Sequence, residues 1–138
     1  MITLHLSYLI NIFRGSSLAN MKHFHAHIYF APKDIEHARN LAKYALLIEL
    51  FESVKFHERP IGPHPTGMIE MHFGDSSYTS AVEWIETHRG VFSVLIHQDT
   101  GDDFRDHSDG IRWLGKKLPL DFAFFELVQS HPELRVHQ

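Results

Sequence analysis

Four segments of the chain alternate apolar and polar residues with a period of two, and this pattern restricts the fold more than any other feature. The first, HFHAHIYF at residues 23–30, places three histidines at alternate positions between apolar residues. The others are SVKFHERP at 53–60, GMIEMHF at 67–73 and VFSVLIH at 91–97. Successive side chains of a strand point to opposite faces of a sheet. Each segment is therefore predicted to be a strand with one apolar and one polar face.

Two segments with helical periodicity separate these strands. The first runs from about residue 35 to 51 and follows Asp34, a suitable N-cap residue. The second runs from about 77 to 88 and is expected to end at Gly90. The order β-α-β-β-α-β predicts a ferredoxin-like sandwich, an α+β fold in which an antiparallel sheet carries both helices on one face. The first strand should lie between the third and the fourth.

The length of 138 residues fits one domain, which we assign to residues 21–138, after an N-terminal arm at 1–20. No function is assigned to the arm. Its apolar run is not preceded by Lys or Arg, which argues against a secretory signal. No segment reaches the ~20 apolar residues that span a bilayer. The chain has no cysteine, which excludes disulfides and fits a reducing compartment, so we expect a cytoplasmic protein.

Histidine is the compositional outlier, with 13 copies in a chain of net charge −4. This charge gives no indication of a nucleic-acid or membrane partner. Imidazoles titrate near neutral pH and ligate metals, so their placement is the main clue to function.

The apolar sides of all four predicted strands should face the helices, because that side of the sheet must be buried. Their opposite sides should then form one polar surface, which we expect to be open and concave. This surface would carry His23, His25, His27, Tyr29, Lys55, His57, Arg59, Met68, Glu70, His72, Ser93, Leu95 and His97.

His25 and His27 form a plausible pair of metal ligands on this surface. Residues two apart on a strand lie ~6.6 Å apart and neighbouring strands ~4.8 Å apart, so two imidazoles can reach one ion. His97 would flank the pair on one side, and Glu70 and His72 on the other. Clustered imidazolium groups would repel one another, whereas a bound metal favours their neutral form.

Two histidines outside the strands are further candidates. His64 lies in the turn IGPHPTG at 61–67, and His107 follows the fourth strand closely enough to fold back over the polar surface. Loops of this kind often carry functional residues. His57 lies two strands away from His27 and is a poorer candidate.

Several motifs along the chain resemble those of the DOPA 4,5-dioxygenase family of fungi and bacteria. They are HAHIYF, ERPIGPHPTGMIEMHF, LIHQDTGDDFRDH and WLGKKLPLDF. The resemblance covers about residues 23 to 122, and family members often have Pro where this chain has Gln98. It implies extradiol cleavage of a catechol such as DOPA by a non-haem Fe(II) enzyme that uses O₂.

The histidines of the family motifs fall on His25, His27, His64, His97 and His107. Our first choice for Fe(II) is the set His25, His27 and His97, although zinc or another divalent metal could occupy the same ligands. A carboxylate often completes an iron site of this type, and Glu70 is the candidate for that position.

The remaining residues are given roles in catalysis and substrate binding. His64 or His107 is expected to take a proton as general base and later return it as acid. Arg59 and Tyr29 are expected to bind the substrate, Arg59 through a substrate carboxylate.

Two functions from other classes stay open at this point. One is a dimeric module that binds a metal or small molecule without catalysis, with the polar surface of the sheet covered by a second copy. The other is a zinc hydrolase with three histidines and a water. A homodimer is expected whichever of the three functions applies.

Overall fold

The computed structural model describes residues 21–134, so the arm predicted at 1–20 lies outside the described residues. The strands are β1 (His23–Phe30), β2 (Ser53–His57), β3 (Gly67–Gly74), β4 (Ser93–Gln98) and β5 (Arg112–Leu114). The helices are α1 (Ile35–Leu47), α2 (Tyr78–His88), α3 (Asp103–Asp106) and α4 (Ala123–Ser130). Short 3-10 turns occupy Pro32–Asp34, Asp75–Ser77 and Pro132–Leu134.

The sheet has the strand order β2-β3-β1-β4-β5, and every neighbouring pair is antiparallel. The ferredoxin-like arrangement of the first four strands is therefore confirmed, with β1 between β3 and β4. The register places His25 opposite His72 on one side and His97 on the other. Three imidazoles thus lie in one row across the centre of the sheet.

Both long helices pack on the same face of the sheet. α1 and α2 bury small and aliphatic side chains against β1, β3 and β4. The buried core includes Ala26, Ile28, Ala38, Leu41, Ala45, Ile69, Phe73, Ala81, Ile85, Val94 and Ile96. Each large aliphatic or aromatic side chain buried in this way stabilises the fold by roughly 1.5–3 kcal/mol.

Two elements, α1 and β2, end earlier than predicted because the backbone changes direction after their last residues. α1 ends at Leu47 rather than near 51, because Ile48 adopts an extended conformation with φ −102° and ψ 147°. β2 ends at His57, and Arg59 lies beyond it in an exposed turn. Pro60 lacks an N–H and restricts the residue before it, which explains why the strand does not continue.

Gly67 lets the end of β2 approach β3 closely. A Cβ atom at this position would lie 2.7 Å from the carbonyl oxygen of Glu58 and 2.9 Å from that of His57. Only glycine therefore fits here without a backbone shift. This contact fixes both ends of the turn that carries His64.

The prediction of an open polar surface is wrong. The chain after β4 folds back over that face, and His27 is fully buried. Tyr29, Met68 and Leu95 form a second apolar cluster there. Partly buried side chains that pack against it are Ile61, Ile111, Trp113, Leu118 and Leu120. The apolar residues of this face need a cover, and the segment at 99–122 supplies it. No helix among residues 21–134 is long and apolar enough to cross a membrane.

Candidate metal centre

Five buried histidines meet between the sheet and its covering segment. They are His25 and His27 of β1, His97 of β4, His64 of the turn before β3 and His107 at the end of α3. None of the five is more than 6% exposed. All five histidines predicted for the site are therefore brought to one place.

The ring nitrogens form two overlapping groups of three. The donor atoms of His25, His27 and His97 lie within 4.8 Å of one another, and so do those of His27, His64 and His107. Within the first group, Nε2 of His27 is 2.9 Å from Nε2 of His97. His27 belongs to both groups, and its other nitrogen is 3.1 Å from the sulfur of Met68. Because both groups include His27, we consider them alternatives for a single cation.

Backbone carbonyls fix the tautomers of two of these rings. Nδ1–H of His97 donates to the carbonyl of Gln98 at 3.0 Å, and Nδ1–H of His107 donates to that of Asp103 at 2.7 Å. In the neutral ring the opposite nitrogen, Nε2, then carries a lone pair. Nε2 of His107 is buried without a hydrogen-bond partner among the described residues. Both rings are thus oriented as ligands with a supporting hydrogen bond behind them.

His25 is held in a comparable way by a carboxylate. Its Nε2 lies 3.4 Å from Oδ2 of Asp99, and its Nδ1 is buried without a hydrogen-bond partner in the part of the chain that the structure describes. Asp99 was not among the predicted site residues. It lies two residues after His97, so the alternation of β4, extended by one step, would place it on the same face. A divalent cation fits this site, because it would satisfy the orphaned nitrogen and the two facing nitrogens of His27 and His97.

Tyr29 decides the tautomer of His64. Its hydroxyl lies 2.7 Å from Nδ1 of His64, and burial raises the pKa of the hydroxyl far above its ordinary value. If the hydroxyl accepted this bond, its own proton would be buried without a partner among the residues described. The hydroxyl therefore donates, and in the neutral ring the proton of His64 sits on Nε2. In this form His64 is a donor rather than a metal ligand.

Burial keeps the clustered imidazoles neutral. Burial is the largest cause and neighbouring histidines add to it, so that the pKa of His25 is lowered to about 4 and that of His97 to about 2. The pKa values of His27 and His107 are lowered chiefly by the same cause. Neutral rings with available lone pairs are the form that binds a metal.

Glu70 belongs to neither group of three. Burial raises its pKa, but the hydrogen bond from Nε2 of His72 at 2.9 Å and the charges of His57 and Lys55 outweigh this and lower it. His57 and Lys55 both lie 3.7 Å from its oxygens. His72 in turn stacks on His25, with ring centroids 3.8 Å apart and planes 9° apart. The geometry therefore gives Glu70 a supporting position behind His25.

The model of the Dopa 4,5-dioxygenase family matches residues 24–124, a range that contains all five histidines. The chain belongs to this family. The family resemblance read from the motifs is thereby confirmed.

Individual relatives agree with this membership. The chain is 28% identical to a DOPA 4,5-dioxygenase of Amanita muscaria, over 86% of this chain. It is 34% identical to an uncharacterised 21.2 kDa protein of Botryotinia fuckeliana, over 78% of this chain. It spans only 58% and 65% of the lengths of these two relatives, respectively. A crystal structure from Nostoc punctiforme, provisionally assigned as a dioxygenase, superimposes with a TM-score of 0.69 at 30% identity and covers 78% of this chain and 94% of its own.

Proposed function

We propose that this protein is a non-haem iron extradiol dioxygenase that cleaves a catechol such as DOPA. The observation that carries the proposal is the cluster of five buried histidines in a domain of the Dopa 4,5-dioxygenase family. In the reaction, the ring C–C bond beside the diol breaks and both atoms of O₂ enter a muconic semialdehyde. Bound Fe(II) would supply open positions for the diol and O₂ and would lower the pKa of the catechol hydroxyls.

The tautomers favour His25, His27 and His97 as the residues that hold the iron. In the alternative group, the hydrogen bond from Tyr29 puts the His64 proton on the nitrogen that would have to bind the metal. The first group has no such conflict, since Nε2 of His97 carries a lone pair and Nδ1 of His25 has no competing hydrogen bond among the described residues. Zinc would fit the same three nitrogens.

His107 and His64 are then suited to opposite proton transfers. Nε2 of His107 carries a lone pair and can take a proton from a catechol hydroxyl as general base. Nε2 of His64 carries a proton and can return one as general acid. The two rings lie 5.3 Å apart, so a single bound substrate can contact both.

The covering segment at 99–122 excludes bulk water from these rings, which strengthens each polar interaction inside the site. Tyr29 acts here through His64, by its hydrogen bond. Its predicted contact with the substrate and the pairing of Arg59 with a substrate carboxylate stay predictions. The homodimer and the cytoplasmic location also stay predictions.

The test combines metal analysis of freshly purified protein with oxygen-electrode assays. Protein loaded anaerobically with Fe(II) should take up one O₂ per DOPA and form a yellow product. Metal-bound protein that takes up no O₂ with any member of a catechol panel would refute the proposal and favour a binding module. Ester hydrolysis by the zinc form, with an inert iron form, would identify a hydrolase instead.

A further inference from the structure

A cavity of about 630 Å³ opens beside the histidine cluster, between α3 and α4. Pockets for small ligands commonly have volumes of ~300–1,000 Å³. Its walls combine aromatic rings with carboxylates. The aromatic residues are Phe104, Phe124 and Phe125, and the acidic residues are Asp102, Asp103 and Glu126.

His107 connects this cavity to the proposed reaction site. The ring lines the cavity, is only 2% exposed, and its Nε2 is buried without a hydrogen-bond partner among residues 21–134. Its centroid lies 4.3 Å from that of His97 and 5.5 Å from that of Phe125. A catechol that enters between the aromatic walls would therefore meet His107 before the other histidines.

The charged groups on the cavity wall all have the same sign. Asp102, Asp103 and Glu126 are exposed at its rim, and its described lining contains no Lys or Arg. Asp102 accepts a hydrogen bond from the backbone N–H of Arg105, which leaves its negative charge in place. Arg59 is not among the lining residues.

We propose that this cavity admits the catechol and selects one whose side chain carries an ammonium group. The proposal rests on the proposed function and adds a substrate preference to it. Carboxylates at the rim attract the ammonium and repel a carboxylate, while the aromatic walls pack against the ring and favour a nearby cation. Pairing of Arg59 with a substrate carboxylate would give the opposite preference, so the two ideas can be separated.

The expected size of the preference follows from the exposure of the rim. A solvent-exposed ion pair changes affinity by about two- to fivefold. Three carboxylates acting together should then give an ammonium catechol roughly tenfold higher kcat/KM than a neutral one. A carboxylate catechol should be disfavoured by a similar factor. Both differences should shrink in high salt, since exposed charges are screened.

The experiment compares three catechols of similar size on the iron-loaded full chain. They are 4-(2-aminoethyl)catechol, 4-ethylcatechol and 3-(3,4-dihydroxyphenyl)propionate. Glu126→Gln should lower the ratio of kcat/KM for the ammonium compound over the neutral one by about two- to fivefold. The matched control is Glu83→Gln, which removes the same charge from exposed α2 on the other face of the sheet and should leave the ratio unchanged.

The outcomes separate the two proposals. If 4-ethylcatechol is consumed but the carboxylate compound is preferred, or Glu126→Gln leaves the ratio unchanged, the substrate preference is overturned and the proposed function stands. If no catechol is consumed, the proposed function fails. Calorimetric titration of the ammonium and carboxylate compounds into the metal-loaded protein then decides the preference, and tighter binding of the carboxylate compound overturns it.

Discussion

The metal-free protein should lose much of its stability when the pH falls from 7 to 5. Burial lowers the pKa of His25, His27, His97 and His107 in the folded state. In the unfolded chain each imidazole has an ordinary pKa near 6.5. The unfolded state therefore takes up protons in this range while the folded state does not. The stability from these rings is fully present above pH ~6.5 and is lost as the pH falls toward the folded values.

The magnitude can be worked from one ring. The pKa of His25 falls from 6.5 to about 4 on folding. By linkage, His25 alone removes about 2 kcal/mol of unfolding free energy between pH 7 and pH 5. His97, with a folded-state pKa of about 2, removes a similar amount, so these two rings together remove roughly 4 kcal/mol, and the lowered pKa values of His27 and His107 act in the same direction. Single domains are stable by only ~5–15 kcal/mol, so the metal-free protein should approach unfolding at pH 5.

The assay is urea unfolding after dialysis against EDTA, followed by tryptophan fluorescence at pH 7, 6 and 5. His25→Asn should remove about 2 kcal/mol of the pH dependence. His23→Asn, which removes an exposed imidazole from the same strand, is the matched control and should keep it. Saturation with Zn(II) at pH 7 should raise the unfolding free energy, because only the folded state presents the complete site.

An equal unfolding free energy at pH 7 and pH 5 in the metal-free protein would refute this reasoning. It would mean that the rings accept protons in the folded state, and hence that solvent reaches them. The neutral, ligand-competent cluster on which the proposed function depends would then be absent.

Three further predictions concern the metal ligands, the proton transfer and the fold. His27→Ala removes the ligand common to both groups of three and should abolish metal binding, as measured by elemental analysis. Full metal retention in His25→Ala would instead select the group that contains His64 and His107. His64→Ala should keep the metal but slow turnover by about 10²–10⁴-fold, and Tyr29→Phe, which removes only the hydrogen bond, should slow it less. Gly67→Ala should destabilise the protein by about 1–3 kcal/mol in thermal unfolding, because the Cβ of the new alanine would meet two carbonyl oxygens. An unchanged melting temperature would contradict the close approach of β2 and β3.

The order of strands and helices was predictable because the signals for it are local. Strict alternation in β1 and β3 assigns each side chain to a face, and the topology then sets their neighbours. These two facts place His25 and His97 on the same face of neighbouring strands, and the observed register then sets them side by side. β5 was missed because a strand of three residues, Arg112–Leu114, is too short to show a period.

The cover over the histidine face could not be predicted, since it depends on tertiary contacts of an irregular segment. α3 is positioned by Asp106, a buried carboxylate that accepts a hydrogen bond from the backbone N–H of Thr100 at 2.8 Å. This contact directs His107 inward. The turn that carries His64 likewise depends on the close approach at Gly67. Motif resemblance pointed to both histidines, but periodicity could not show that they reach β1.

The two faces of β1 show why the histidine cluster needs a ligand. On the helix side, the same strand fills its buried positions with Ala26 and Ile28, which leave no polar atom unsatisfied. On the other side it buries Nδ1 of His25, which has no hydrogen-bond partner among residues 21–134, and a buried polar atom in that state costs about 1–3 kcal/mol. Nε2 of His27 and Nε2 of His97 face each other, and repulsion between them adds a further penalty when both carry lone pairs. A cation bound between them and His25 removes these costs together, so metal binding and folding stability should rise and fall in parallel.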